Sequence, residues 1–244
     1  MFYQCNAQKK TLYKNQDMKL IDSSFEKLNI NNPILLETKK RYGTNMPPKY
    51  IVDLEQTLTD RIVKTGGIVD IYYDQWIFPN KGWFKIYKDF YANGNIKLKK
   101  IRNKTSQEDY KSMYEFDSQG NLIKTTNFDK DWKTPFEAIT ETASEYGKKF
   151  HYQVKTGTND VISDHQNWLE EYVKIWRKEK DGKKYWVIGF NKAHFDNPDD
   201  KKCERLVILV DDTTGKVLEK LHYFDWYNRL FKNLDNLLGL TADY

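Results

Sequence analysis

A chain of 244 residues with 15% aromatic and 31% charged residues can bury a core of its own and is not a disordered polymer. Its net charge of +5 is spread over lysines interleaved with Asp and Glu, and only six arginines occur (Arg41, Arg61, Arg102, Arg177, Arg205 and Arg229), which argues against a nucleic-acid-binding protein. No apolar run approaches the length of a membrane span, so no transmembrane segment is predicted.

The N-terminal MFYQCNAQKK places Phe2 and Tyr3 before Cys5, then turns polar and lysine-bearing. It has the look of the end of an export signal, with Cys5 where a lipoprotein's acylated cysteine would sit; an ordinary cytoplasmic start is the alternative. Cys5 and Cys203 are the only cysteines and lack CxxC spacing, which excludes a cysteine-rich zinc site. Leu20, Ile21, Phe25 and Leu28 fall at helical spacing and predict a short helix, stopped by Asn31, Asn32 and Pro33. A second helix is predicted from Ile51, Leu54, Leu58 and Ile62, beyond the Pro47-Pro48 boundary, with Gly66 and Gly67 as its C-terminal signal.

From Ile68 the period becomes two. Strands are predicted at Ile68–Tyr73, Trp83–Asp89, Ile96–Ile101, Lys111–Phe116 and Leu122–Asn127, with turns at Pro79/Asn80/Gly82, Asn93-Gly94 and Gln119-Gly120. Thr134, Pro135 and Glu137 read as a capping box opening a helix whose stripe is Phe136, Ile139, Ala143 and Tyr146, ended by Gly147. A strand near Phe150–Lys155 and a loop over Gly157–Ile162 follow. Tyr172–Lys178 and Lys184–Phe190 form a hairpin through Asp181-Gly182, and Glu204–Val210 and Lys216–His222 another through DDTTG, Asp211 to Gly215. RLVILV is apolar on both faces and reads as a central strand. Trp226, Leu230, Leu234, Leu237 and Leu238 predict a last helix. The fold class expected is α+β, two antiparallel β-meanders with flanking helices.

One strand-turn-strand pattern occurs twice, as FYANGNIKLKK (Phe90–Lys100) and FDSQGNLIKTT (Phe116–Thr126). These Gly94-Asn95-Ile96 and Gly120-Asn121-Leu122 turns resemble the variant MORN repeats of bacterial antitoxin and immunity-like proteins, where the turn glycines are structural. The helix from Thr134, the strands around WLEEYVKIW and KYWVIGF, and VDDTTGKVL (Val210–Leu218) are similar to a PepSY-type domain. Three regions result: a leader with a short helix (1–48), a helix plus MORN-like meander (49–133), and a PepSY-like half with a C-terminal helix (134–244). Both resemblances imply secreted or envelope-linked, non-enzymatic bacterial proteins, including inhibitors and immunity factors.

Catalytic signatures do not emerge, and no cofactor is predicted. His151, His165, His194 and His222 form no HxH or HExxH pattern. His194, Asp196, Asp199 and Asp200 could hold a hard cation in a metal-dependent hydrolase, but the stretch lacks the alternating ligands of a calcium loop and also reads as a solvated turn. Asp211 and Asp212, adjacent on a strand, point to opposite faces and read as turn-shaping residues. The aromatics between Tyr72 and Tyr91 outnumber what one sheet face needs. Tyr73, Trp76, Trp83, Tyr87 and Tyr91 are the candidate partner-binding residues, beside the structural turn glycines Gly94, Gly120, Gly182 and Gly215. The expected function is toxin neutralisation by an envelope immunity or inhibitor protein; an envelope lipoprotein with a structural role is the other non-enzymatic reading.

Overall fold

The computed structural model describes residues 21–43, 49–149, 169–170, 173–191 and 204–224. Cys5, Cys203, Pro47-Pro48, the segment 150–155, His151, His165, the His194–Asp200 loop and the last helix lie outside them. What is described is mainly β. An eight-stranded antiparallel sheet runs as an unbroken meander: β1 (Lys40–Tyr42), β2 (Lys49–Thr57), β3 (Arg61–Ile68), β4 (Tyr72–Pro79), β5 (Phe84–Tyr91), β6 (Ile96–Asn103), β7 (Asp109–Phe116) and β8 (Leu122–Asn127). A second sheet of four has the order β12-β11-β10-β9, from β9 (Lys174–Lys180), β10 (Lys183–Asn191), β11 (Glu204–Asp211) and β12 (Val217–Phe224). RLVILV is interior to it, as its two apolar faces require. Two helices complete the description, α1 (Pro33–Glu37) and α2 (Phe136–Lys149).

The predicted helix over Ile51–Ile62 is instead the β2-β3 hairpin. Its apolar residues suit either period, but Val52, Leu54, Val63 and Thr65 alternate inward, and Thr59-Asp60 turn the chain. Gly66 and Gly67 do not end a helix. Gly66 sits opposite Asp74 in the ladder, where an added Cβ would come within 3.1 Å of Oδ1. Ile68–Tyr73 is likewise not one strand, because a turn at 69–71, with Asp70 at φ 65°, separates β3 from β4.

The helix predicted from Ile21, Phe25 and Leu28 is an extended arm. Asn32 and Pro33 do not stop a helix but start one: the Asn32 side chain caps α1 by accepting from the Ile34 amide at 3.0 Å. The arm crosses the repeated turns. Leu28 N–H donates to Gly94 O (2.8 Å), Ile96 N–H donates to Glu26 O (3.0 Å), and Lys27 bridges Asn95. The two turns are also tied to each other by Asn95 Nδ2 to Ser118 O (2.9 Å) and the Tyr91 hydroxyl to Phe116 O (2.9 Å).

Gly94 and Gly120 therefore carry two demands, a positive φ (82° and 93°) and room for the arm. A Cβ on Gly94 would lie 2.5 Å from the backbone oxygen of Leu28, whereas one on Gly120 would meet only the ring of the exposed Phe25. Backbone cannot step aside and a surface ring can. Gly94→Ala is expected to cost about 2–4 kcal/mol and Gly120→Ala about 1–2 kcal/mol, with chemical denaturation as the measurement; equal costs would contradict the seat for the arm.

The main core joins both halves of the chain. Trp83, Phe84, Ile101 and Tyr110 pack with Phe136, Ile139 and Ala143 of α2 and with Ile175, Trp186, Ile188, Phe190, Ile208 and Val210 of the small sheet. A second cluster, Leu35, Val52, Tyr73, Phe90, Ile96 and Phe116, lies under the arm and α1. The expected capping box is replaced by a tertiary cap. The Thr134 hydroxyl donates to Asp212 O (2.5 Å), and Glu137 pairs with Lys111 (3.1 Å). The Asp212 carboxylate accepts from Lys133 N (3.0 Å), Thr134 N (3.1 Å) and the Trp186 indole (2.9 Å). Asp211 shapes the turn, as expected, by accepting from Thr214. Gly147 lies within α2, which runs to Lys149.

Candidate partner-binding face

Alternation along each strand divides the large sheet into an inner and an outer face. Val52, Val63, Tyr73, Ile77, Ile86, Phe90, Ile101 and Tyr110 point inward, and the described core clusters draw on that face of the sheet. The ladder registers then define three outer rows, about 7 Å apart along the strands. One row is acidic, with Asp53, Asp74, Asp89 and Glu115 flanking Gly66 and Leu98. The middle row reads Glu55, Lys64, Trp76, Tyr87, Lys100 and Met113, and the third Thr57, Ile62, Phe78, Lys85, Arg102 and Asp109.

Of the five aromatics singled out in the sequence, the structure brings two together here. Trp76 and Tyr87 face each other with ring centroids 4.6 Å apart, and Phe78 continues the ridge 6.3 Å from Trp76. Tyr91 is half-buried, its hydroxyl spent on Phe116 O and its ring 6.0 Å from the Lys97 ammonium. Tyr73 and Trp83 are each only 3% exposed and belong to the core, Trp83 lying edge-on to Phe136, so their rings are not presented to a partner. Of the four turn glycines, Gly182 follows Asp181 with both at positive φ (72° and 52°), the type I′ hairpin expected, and Gly215 N–H closes the DDTTG turn on Asp211 O at 2.8 Å.

Phe78, Lys85, Lys100 and Arg102 were missed in the sequence. Strict alternation from Phe84 onward would have found Lys85, which lies on the same side as Tyr87. The cations crowd the ridge: the Lys85 ammonium is 4.6 Å from the Trp76 ring and 5.6 Å from Phe78, Lys100 is 5.9 Å from Tyr87, and Arg102 is 5.9 Å from Trp76. Asp109 accepts from Lys100 at 2.9 Å. It also lies 2.9 Å from Arg102 Nε, an ion pair too bent to be a hydrogen bond.

The chain matches no family model, no curated protein and no solved structure. Its function has to be argued from its own side chains.

Burial, helped by Asp89, raises Asp74, while the Trp76 indole opposes the shift by donating to it. Burial first, then Asp89 and Asp74, pushes the Tyr87 phenol up to about 12. The unfolded phenol ionises near pH 10, so above that pH the unfolded chain sheds a proton the folded one keeps, and stability falls until the folded value is passed. A near-ultraviolet titration is expected to show a phenol ionising near pH 12 that is absent from Tyr87→Phe. A wild-type curve superimposable on the variant's after scaling for one tyrosine would contradict the burial argument.

Among the described residues no group of three His, Cys, Asp or Glu side chains could hold a metal ion, and no helix is long and apolar enough to cross a membrane.

Proposed function

We propose that this chain is a non-enzymatic bacterial binding protein of the cell envelope that neutralises a cognate toxin by docking it on the outer face of the large sheet. One observation carries the reading. The inner face is consumed by core and arm, while the outer face of the same sheet presents a ridge of three rings, Trp76, Phe78 and Tyr87, set among cations. Aromatic side chains held rigid by their neighbours supply most of the energy in protein interfaces, because they bury large area at little entropic cost. The twin glycine hairpins fit this role as scaffolding. They fix the register of β5 to β8 and anchor the arm across the back, which leaves the opposite face uncovered by the arm. The resemblance of those hairpins to MORN-type immunity-like proteins points the same way.

Co-expression with the product of the adjacent reading frame on the chromosome tests the proposal. Rescue of growth from a toxic neighbour, with co-purification of the two chains, is expected. Trp76→Ala and Tyr87→Ala are each expected to weaken the complex by about 2 kcal/mol or more. A harmless neighbour, or rescue indifferent to both substitutions, would overturn the assignment.

A further inference from the structure

Lys85 is a lysine only 8% exposed, yet it is unlike Lys99, the other buried lysine among the described residues. Lys99 is fully buried and answered by Glu26 (2.8 Å) and Ser24 O (2.7 Å). Lys85 has no carboxylate or carbonyl in reach among the described residues. Its neighbours are the faces of Trp76 and Phe78 and, directly across the ladder, Arg102. Burial, and then the charge of Arg102, lowers the Lys85 ammonium from its ordinary value. Among the described residues three cations around it, Lys85, Lys100 and Arg102, share one carboxylate, Asp109, so positive charge is left over in a half-buried setting. Rings offset part of the desolvation of a cation, but an anion offsets far more.

We infer that Lys85 and Arg102, held against Trp76 and Phe78, form a recognition pocket for the carboxylate side chains of an acidic segment on a protein partner. The inference rests on the proposal that this face is the docking surface and specifies what the partner must present there. A protein is favoured over a nucleic acid by the rest of the face. The row Asp53, Asp74, Asp89 and Glu115 lies one to two rows away. Lys97 and Lys124 answer Asp89 and Glu115, but Asp53 and Asp74 have no such cation among the described residues, so a phosphate backbone would be repelled there where a folded protein can offer basic groups.

The test uses the full chain labelled with nitrogen-15 and follows the Trp76 indole resonance, identified by its loss in Trp76→Phe. Titration with a hexaglutamate peptide is expected to shift it saturably, with an affinity that falls as salt rises. Lys85→Met is expected to weaken that binding at least tenfold, and Lys183→Met, on the small sheet, less than twofold. Should Lys85→Met not fold, Arg102→Gln gives the same reading. No saturable shift, or a Lys85→Met chain that binds like the wild type, overturns the inference. So does binding of inorganic phosphate as tight as hexaglutamate, which would mark a bare oxyanion site, or tighter binding of a single-stranded oligothymidine, which would mark a nucleic-acid surface. Toxin rescue that survives Lys85→Met would leave the neutralising role standing and remove this pocket from it. Hexaglutamate binding without any toxic neighbour would do the reverse.

Discussion

Replacing Asp212 by Ala is expected to destabilise the protein by about 3–5 kcal/mol, close to the whole stability of an ordinary domain. The carboxylate is buried and accepts three hydrogen bonds, from Lys133 N, Thr134 N and Trp186 Nε1. Trp186 is fully buried, so its indole is cut off from bulk solvent when the acceptor is lost. A stranded buried donor costs about 1–3 kcal/mol, and bonds to a charged acceptor are the stronger kind. The negative charge also sits at the start of α2, where the amides leading into a helix favour it. Asp212→Asn keeps one acceptor oxygen but turns an NH2 toward one of the donors, so about half the loss is expected. Urea unfolding monitored by tryptophan fluorescence measures both; a loss below about 1 kcal/mol for Asp212→Ala would show that the loop does not hold the helix.

Glu26→Ala is the second large effect. Glu26 answers two lysines at once, Lys99 through Oε1 at 2.8 Å and Lys88 through Oε2. Without it Lys99 stays fully buried with Ser24 O as its near partner and Asp22 3.5 Å away. Breaking one side of a buried pair costs about 3–5 kcal/mol because the other charge is left uncompensated. Adding Lys99→Met removes that charge and is expected to restore at least half of the loss, a coupling a double-mutant cycle reads directly.

The same pair gives a pH dependence. Burial raises the Glu26 carboxyl, but the hydrogen bonds from Lys88 and Lys99 outweigh it and the net shift is downward. A depressed folded value means the stabilisation is complete above the unfolded value, about 4.3, and is lost as pH falls through the folded one. Faster amide exchange at Leu28 and Ile96 in that acid range is the expected signature of a loosened arm; unchanged exchange there would contradict the role given to Glu26.

The parts legible in the sequence were those written in local chemistry. Leu122–Asn127 is β8, the Asp181-Gly182 turn forms as its residues require, and RLVILV is interior because both its faces are apolar. The two GN turns were legible as turns. Their load was not: a positive φ is a property of four residues, but the arm that rests on Gly94 arrives from 66 positions upstream at Leu28. Ile51, Leu54, Leu58 and Ile62 showed why short apolar runs mislead, since their spacing satisfies a helix until a neighbouring strand offers a ladder.

The candidate face divides the same way. That this stretch carried more aromatics than one face of a sheet needs was evident from composition. Which of them face outward was decided by parity and register for Tyr73, sent inward, and for Trp76, left beside Tyr87. Trp83 precedes β5 and shares the parity of Lys85 and Tyr87, and only its packing against Phe136 buries it. Sequence by itself determined the strands and their tight turns, because those depend on backbone preferences within a few residues. Only the tertiary structure decided that Asp212 caps a distant helix, that Glu26 neutralises Lys99, and that Lys85 finds no such answer among the described residues. Charge is compensated across space, and spacing along a chain carries no record of that distance.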